Sequence, residues 1–368
     1  MIYFDNASAA PLSEAARLSY DVAAAAYFSN PSSPHALGIE AERAVRNAAY
    51  DTARLLSCQS DEIIFTSGAT ESNNTAILGA ALCRKRQGGH LITTPYEHPS
   101  VLRPMRFLSE QGFTITYAHP SEWVSLLRDD TFFVSCAQIN HETGDDPGAP
   151  DILAAVKKMN PRVITHMDGA QGFGKLETDL SSVDLYTFSA HKIHGPKGVG
   201  GLMARKGVRL IPLMYGGDQQ ETRRPGTENV PGILAMSAAA SDAVSHQAER
   251  LAAVSAVKNK LSSLAGELQD VIINHRGPSV SPYILNMSFL GVKGAVLVNA
   301  LSGMCICTAT GAACRVRKNK TSPLAAMGFE SARADSAVRF SFSHLNTAEE
   351  ADAVKTAVAS CVASLRRA

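Results

Sequence analysis

Apolar positions recur along this chain with two periods, and the two alternate. Over 36–56, Ala41, Ala44, Val45, Ala48, Ala49, Thr52 and Leu55 repeat at spacings of three and four, which predicts a helix. Short apolar runs at 62–66, 90–94, 113–117, 131–137, 163–167, 185–189 and 200–204 read as strands, with helices predicted over 71–86, 100–110 and 152–159 among them. The piece 2–6 reads as extended. Near Pro225–Pro231 the pattern breaks, and a long Ala-rich helix over 233–268 leads into a second region. That region carries strands near 284–288, 304–307 and 338–342 and a closing helix over 348–365. The alternation predicts an α/β fold: a mostly parallel sheet flanked by helices in a large domain, 12–245, plus a smaller α/β domain from 1–11 and 246–368. In such sheets ligands gather at the carboxyl ends of the strands.

Composition narrows the classes. Hydrophobic residues make up 45% and charged residues 19% of 368, the balance of a globular chain. Lys and Arg total 35 against 34 Asp and Glu, a net charge of +1, so no field spans the surface to hold nucleic acid or an anionic membrane. The first twenty residues carry Asp5 and Glu14 without an apolar run, which argues against a signal peptide, and no stretch approaches the ~20 apolar residues of a membrane span. Seven scattered cysteines, an odd number, read as reduced thiols, and a cytoplasmic location is expected. The Cys305/Cys307 pair on an apolar run reads as strand rather than as zinc ligands, and no metal is expected.

Three segments carry candidate chemistry. Lys192 follows a strand within Ser189-Ala190-His191-Lys192-Ile193-His194-Gly195, where a partly desolvated amine suits Schiff-base formation; a solvated loop lysine is the plainer alternative. Asp168 ends the apolar run 163–167, where a carboxylate can pair with a pyridinium nitrogen or simply cap a helix. Thr66-Ser67-Gly68-Ala69-Thr70-Glu71 joins a strand to a helix through small residues whose N–H groups, with the Thr70 hydroxyl, suit a phosphate. Each is weak alone; their order along one domain gives them weight.

At this level the chain resembles the cysteine desulfurases, fold-type I pyridoxal-phosphate enzymes of the class V aminotransferase group. The resemblance runs through Tyr3-Phe4-Asp5-Asn6, Asn30-Pro31-Ser32-Ser33, 66–73, Glu97-His98, 140–144, 168–171, 189–198, 224–229, 311–314 and Val338-Arg339-Phe340-Ser341. It implies pyridoxal 5'-phosphate held covalently by Lys192, with Asp168 on the ring nitrogen, Gln171 on the ring oxygen and His98 stacked on the ring and moving protons. Ala69, Thr70, Ser189 and His191 would hold the phosphate, with Thr227 reaching it from the other subunit of a homodimer. Arg339 would clamp the carboxylate of L-cysteine, with Asn30 and Asn6 also at the substrate. Cys314 would take the sulfur as a persulfide for delivery to an acceptor protein, leaving L-alanine. Outside this context Cys314 would read as a small buried residue and His98 as a loop histidine.

The sequence departs from the family pattern in three places. His141 stands where the family's Asn-Asn-Glu-x-Gly turn has a second Asn contacting the ring oxygen. Asp218 and Gln220 replace a usual Gly and Glu before Thr227. The chain also stops soon after its last predicted helix, without the extension on which housekeeping desulfurases dock an iron–sulfur scaffold, which puts that partner in doubt; an iron–sulfur scaffold, a tRNA-modifying enzyme and the thiamine pathway are all open as acceptors of the sulfur. Selenocysteine lyase and cysteine sulfinate desulfinase are the nearest rival activities, and a non-catalytic interaction subunit a more distant one. After Cys314, Arg315-Val316-Arg317-Lys318-Asn319-Lys320 is expected to be a solvated loop whose cations favour the thiolate.

Overall fold

Seven of the short apolar runs pair side by side. In the computed structural model, which describes residues 1–277, 279–310 and 322–367, they form one sheet. Its order is Ile63–Thr66, Gly200–Ala204, Leu185–Ser189, Ile164–Asp168, Thr131–Ala137, His90–Thr93 and Thr114–Tyr117. Every pairing is parallel except the two made by Gly200–Ala204. The central strands are buried on both faces, which explains why they read as continuous apolar runs rather than alternating ones. A Cβ on Gly200 would lie 2.7 Å from the Cα of Gly68, so only glycine lets this strand pass the turn after Ile63–Thr66.

This sheet belongs to a unit of Pro11–Gln138 and Gly148–His246. Its helices include the expected Ala36–Leu55, Ala69–Leu82, Pro99–Glu110 and Ala149–Met159, and a further one, Glu14–Ala26, capped by the Ser13 hydroxyl. The 14–26 helix has no apolar stripe to announce it, because it buries only Ala16 and Ala23 while Leu18, Tyr20 and Val22 face solvent.

The second unit comprises Met1–Ala10, Ile139–Pro147 and Gln247–Ala368. Its core is an antiparallel sheet of Val271–Ile273, Ile284–Phe289 and Ala337–Ser341 with helices Gln247–Ser262, Gly294–Gly303 and Ala348–Leu365. The N-terminal strand Ile2–Tyr3 pairs in parallel with Ile306–Cys307. The stretch expected as one helix over 233–268 is broken: Val230–Ser245 ends at His246, and Gln247–Ser262 and Leu264–Glu267 follow. The break at His246 is where one unit gives way to the other. Ile139–Pro147 lies within 12–245 yet belongs to the second unit, tied there by Asp145–Asp146 pairing with Ser279–Val280 and by the Arg276 amide donating to Asp145. Among the described residues no helix is long and apolar enough to cross a membrane.

Candidate active site

In the larger unit, Asp168 stands at the carboxyl end of its strand and is buried. Two neutral donors reach it: the Ala170 amide at 3.0 Å from Oδ1 and Asn73 Nδ2 at 2.8 Å from Oδ2. Gly169 follows because any Cβ there would collide with the Tyr186 ring. Asn73 Nδ2 also donates to Ser100 Oγ at 2.8 Å. His98 caps the helix Pro99–Glu110: its Nδ1 accepts the Ser100 amide at 3.1 Å and lies 2.7 Å from Ser100 Oγ. Burial first, then the charges of Lys192 and Arg103, holds His98 below the ordinary imidazole range, against an upward pull from Asp168. Lys192, Asp168 and His98 are therefore electrostatic neighbours.

Lys192 closes a short turn, Ala190–Lys192, directly after the strand Leu185–Ser189. Ser189 Oγ and His191 Nδ1 are 2.9 Å apart. Burial, with the charges of Lys192, Lys197 and Lys175, pushes His191 down to about 4, so the ring is neutral near pH 7. The helix Ala69–Leu82 starts after Gly68, which has φ 145°, and no side chain caps it. A Cβ on Gly68 would sit 3.5 Å from Ser189 Oγ, so the Ser189 hydroxyl faces this turn. The first N–H groups of a helix lack intrahelical acceptors. An uncapped helix start facing a serine hydroxyl and a neutral histidine suits a phosphate, and a buried carboxylate with acceptor capacity left suits a pyridinium N–H. These residues fit pyridoxal phosphate.

A loop braces that turn. Glu71 accepts from the Ser67 amide at 2.7 Å and pairs with Arg224 Nε at 2.9 Å. Gln220 clips onto the outer strand as a backbone would: Oε1 accepts the Phe65 amide at 2.6 Å and Nε2 donates to the Phe65 carbonyl at 3.0 Å. Thr227, farther along the loop, is exposed. Gln171 is buried and its Oε1 accepts from Lys175 Nζ at 3.4 Å. Asn30 is exposed, and its Oδ1 accepts the Ser32 amide of its own turn.

The smaller unit holds the other candidates. Arg339 is buried; Nη2 donates to Asp5 Oδ1 at 3.0 Å and Ser8 Oγ at 2.7 Å, and Nη1 to the His141 carbonyl at 2.8 Å. Glu142 lies 3.7 Å from Nη1, and burial raises its carboxyl above the ordinary range against the pull of Arg339. The His141 ring is 4.0 Å from the same carboxylate. Asn6 Nδ2 pins the N-terminal strand to the Tyr3 and Ser341 carbonyls and Asn346 Oδ1. Cys314 and the cations 315–320 lie outside the described residues. Asp5, Asn73 and Glu142 lie inside the segments that carry the resemblance, but their contacts, and the part played by Ser100, emerge only from the structure.

Comparison with known proteins places this geometry. The Aminotransferase class-V family model matches residues 2–354. A NifS/IcsS protein homolog of Lactobacillus delbrueckii subsp. bulgaricus is 37% identical over 365 residues, covering 96% of this chain and 94% of its own. Cysteine desulfurase IscS of Pseudomonas syringae pv. tomato is 38% identical over 354 residues, 92% of this chain and 86% of its own. A solved NifS-like protein superposes with a TM-score of 0.92 at 34% identity over the whole of both chains.

Proposed function

Because this chain belongs to the class-V aminotransferase family, as a pyridoxal-phosphate-dependent cysteine desulfurase, we propose how its residues divide that work, one unit at a time. Lys192 Nζ holds the cofactor covalently, and Asp168 accepts the ring N–H, its charge steadied by Asn73 and the Ala170 amide. The amides of Ala69 and Thr70, the Thr70 and Ser189 hydroxyls and His191 receive the phosphate, and Gln171 and His141 serve the ring oxygen. When bound, the cofactor supplies an electron sink that weakens the substrate's carbon–sulfur bond. The Cys314 thiolate attacks the sulfur: an S–S bond forms and the C–S bond breaks. A proton passed by His98 at Nε2 completes L-alanine. Arg339 receives the substrate carboxylate, with Asn6 and Asn30 as secondary polar contacts.

The observation that carries this reading is Asp168: a buried carboxylate at a parallel strand's carboxyl end, held by neutral donors and sharing its field with Lys192 and His98. The test is stoichiometry. Purified enzyme with L-cysteine and a reducing thiol should yield sulfide and alanine in equal amounts, and Lys192→Ala should lose both that activity and the visible absorbance of the covalently held cofactor. Cys314→Ser should keep the absorbance and release no sulfide. Selenide release from selenocysteine that persists in Cys314→Ser and outpaces wild-type sulfide release would overturn the substrate assignment.

We propose in addition a homodimer in which Thr227 reaches the partner's phosphate site, and transfer of the persulfide sulfur to an acceptor protein. For the dimer, Thr227 and three large apolar side chains of the larger unit stand open for a partner subunit to cover: Val22 is 64% exposed, Phe28 73% and Tyr215 81%. Sedimentation showing a fully active monomer at micromolar concentration would sink the dimer.

A further inference from the structure

The contacts between Asp168 and His98 form a chain whose direction can be derived atom by atom. An ionised carboxylate only accepts, so the Asn73 amide must turn its NH2 toward Asp168; flipped, Oδ1 would face Oδ2, acceptor against acceptor. The second Nδ2 hydrogen goes to Ser100 Oγ. With its oxygen accepting there, the Ser100 hydroxyl has its own hydrogen for His98 Nδ1, 2.7 Å away. The Ser100 amide donates to the same nitrogen. Two donors converge on Nδ1, and a proton on that nitrogen would face both.

We infer that Ser100 and Asn73 are positioning residues that keep the neutral His98 ring protonated at Nε2 and tie its orientation to Asp168. Asn73 Oδ1 carries a cost for this: it is buried and makes no hydrogen bond among the described residues. A helix residue chosen for stability alone would not leave a carbonyl stranded to serve one carboxylate and one hydroxyl. Asn74, its neighbour, spends its Nδ2 on the Thr70 carbonyl one turn back, so the link is particular to position 73.

The chain contains its own control. His119-Pro120-Ser121 repeats the tripeptide His98-Pro99-Ser100 and the same local turn, with Nδ1 2.8 Å from Ser121 Oγ and accepting the Ser121 amide at 3.4 Å. That copy is exposed and is capped by local contacts alone. The His-Pro-Ser turn is thus encoded locally, and what distinguishes His98 is burial and the link through Asn73. The charged groups acting on His98 are Asp168, Lys192 and Arg103.

The inference rests on the reading of His98 as the proton-moving group, and its test is separable from that reading. In full-length holoenzyme carrying ¹⁵N-histidine, with His98→Gln to assign the signal, long-range ¹H–¹⁵N spectra read the tautomer and a pH series reads the pKa. His98 should be the Nε2–H tautomer. Ser100→Ala removes one donor from Nδ1, which makes protonation easier. The His98 pKa and the acid limb of the kcat profile should both rise, by about half a unit to one unit, the worth of one hydrogen bond. KM should stay in place, and Ser100→Thr should restore both values. Asn73→Leu should move His98 in the same direction and leave His119 unchanged. An Nδ1–H tautomer in the parent overturns the proposal whether or not a variant folds, as do ring signals indifferent to both substitutions. Full activity in His98→Gln would instead sink the reading of His98 and leave the tautomer result standing.

Discussion

Asp5 Oδ1 lies 3.0 Å from Arg339 Nη2, and Ser8 takes the other hydrogen of that nitrogen. With one Nη1 hydrogen on the His141 carbonyl, the second Nη1 hydrogen and Nε are left, and Nε is buried without a hydrogen bond among the described residues. A carboxylate that takes the fork through both Nη groups must share Nη2 with Asp5 or displace it. Asp5→Asn keeps the shape and removes the competing charge. KM for L-cysteine should therefore fall by about fivefold, the equivalent of ~1 kcal/mol. A rise in KM would mean that Asp5 holds the guanidinium in its productive pose.

Removing Arg339 does more than remove a substrate contact. Asp5 and Glu142 would remain as acids without their shared cation. Breaking such a buried cluster costs about 3–5 kcal/mol, so Arg339→Ala should lower the urea midpoint as well as raise KM. Arg339→Lys keeps the charge and loses the fork. It should keep most of the stability while KM still rises at least about tenfold, ~1.4 kcal/mol. Equal stability in Arg339→Ala and the parent would show that the cluster is not a structural ion pair.

Three consecutive non-glycine residues, Gln220, Glu221 and Thr222, have φ of 48°, 58° and 64°. For β-branched Thr222 this region is especially costly. Thr222→Gly should stabilise the fold by about 1 kcal/mol, strain relief outweighing glycine's extra chain entropy. Gln220→Gly relieves the same kind of strain but loses both bonds to Phe65, and should destabilise. Melts that move the same way for both would show that the Gln220 clip contributes nothing.

What the sequence made legible, and what it did not, follows from the range of each interaction. Asp168 and Lys192 could be located because each sits where an apolar strand meets a glycine-rich turn, a local signal. Roles for Arg339 and Cys314 came from the family resemblance alone, since neither position announces its chemistry. Asn73 closes a segment of the resemblance, but its role did not show: Asn74 beside it is the same residue, and only the fold selects which of the two meets Asp168 and Ser100. Likewise Ile139–Pro147 joins the smaller unit through a two-residue strand, too short for a period to show. The resemblance makes the Arg339 fork available to substrate, and the partners that occupy its Nη2 lie more than 300 positions away at Asp5 and Ser8.

Glu97 stands beside His98 in sequence and is 2% exposed, its Oε1 accepting from the Thr94 hydroxyl at 2.7 Å. Burial pushes its carboxyl up from 4.5 to about 8, against the hydrogen bonds from Thr94 and the backbone at Ala137, with Asp168 adding to the rise. The group is therefore protonated in the folded chain at neutral pH and ionised in the unfolded one. Between these two values the folded state binds the extra proton, so raising the pH favours unfolding. The contribution is complete below about 4.5 and is lost as pH rises through about 8. Its slope is at most about 1.4 kcal/mol per pH unit. Glu97→Gln replaces the neutral acid by a neutral amide with no proton to lose. Urea midpoints measured from pH 5 to 8 should fall with pH in the parent relative to this variant, the gap narrowing toward pH 5. Parallel curves would mean that Glu97 is ionised in the fold, and a parent that gains on the variant with rising pH would mean that its carboxylate is held by a cation.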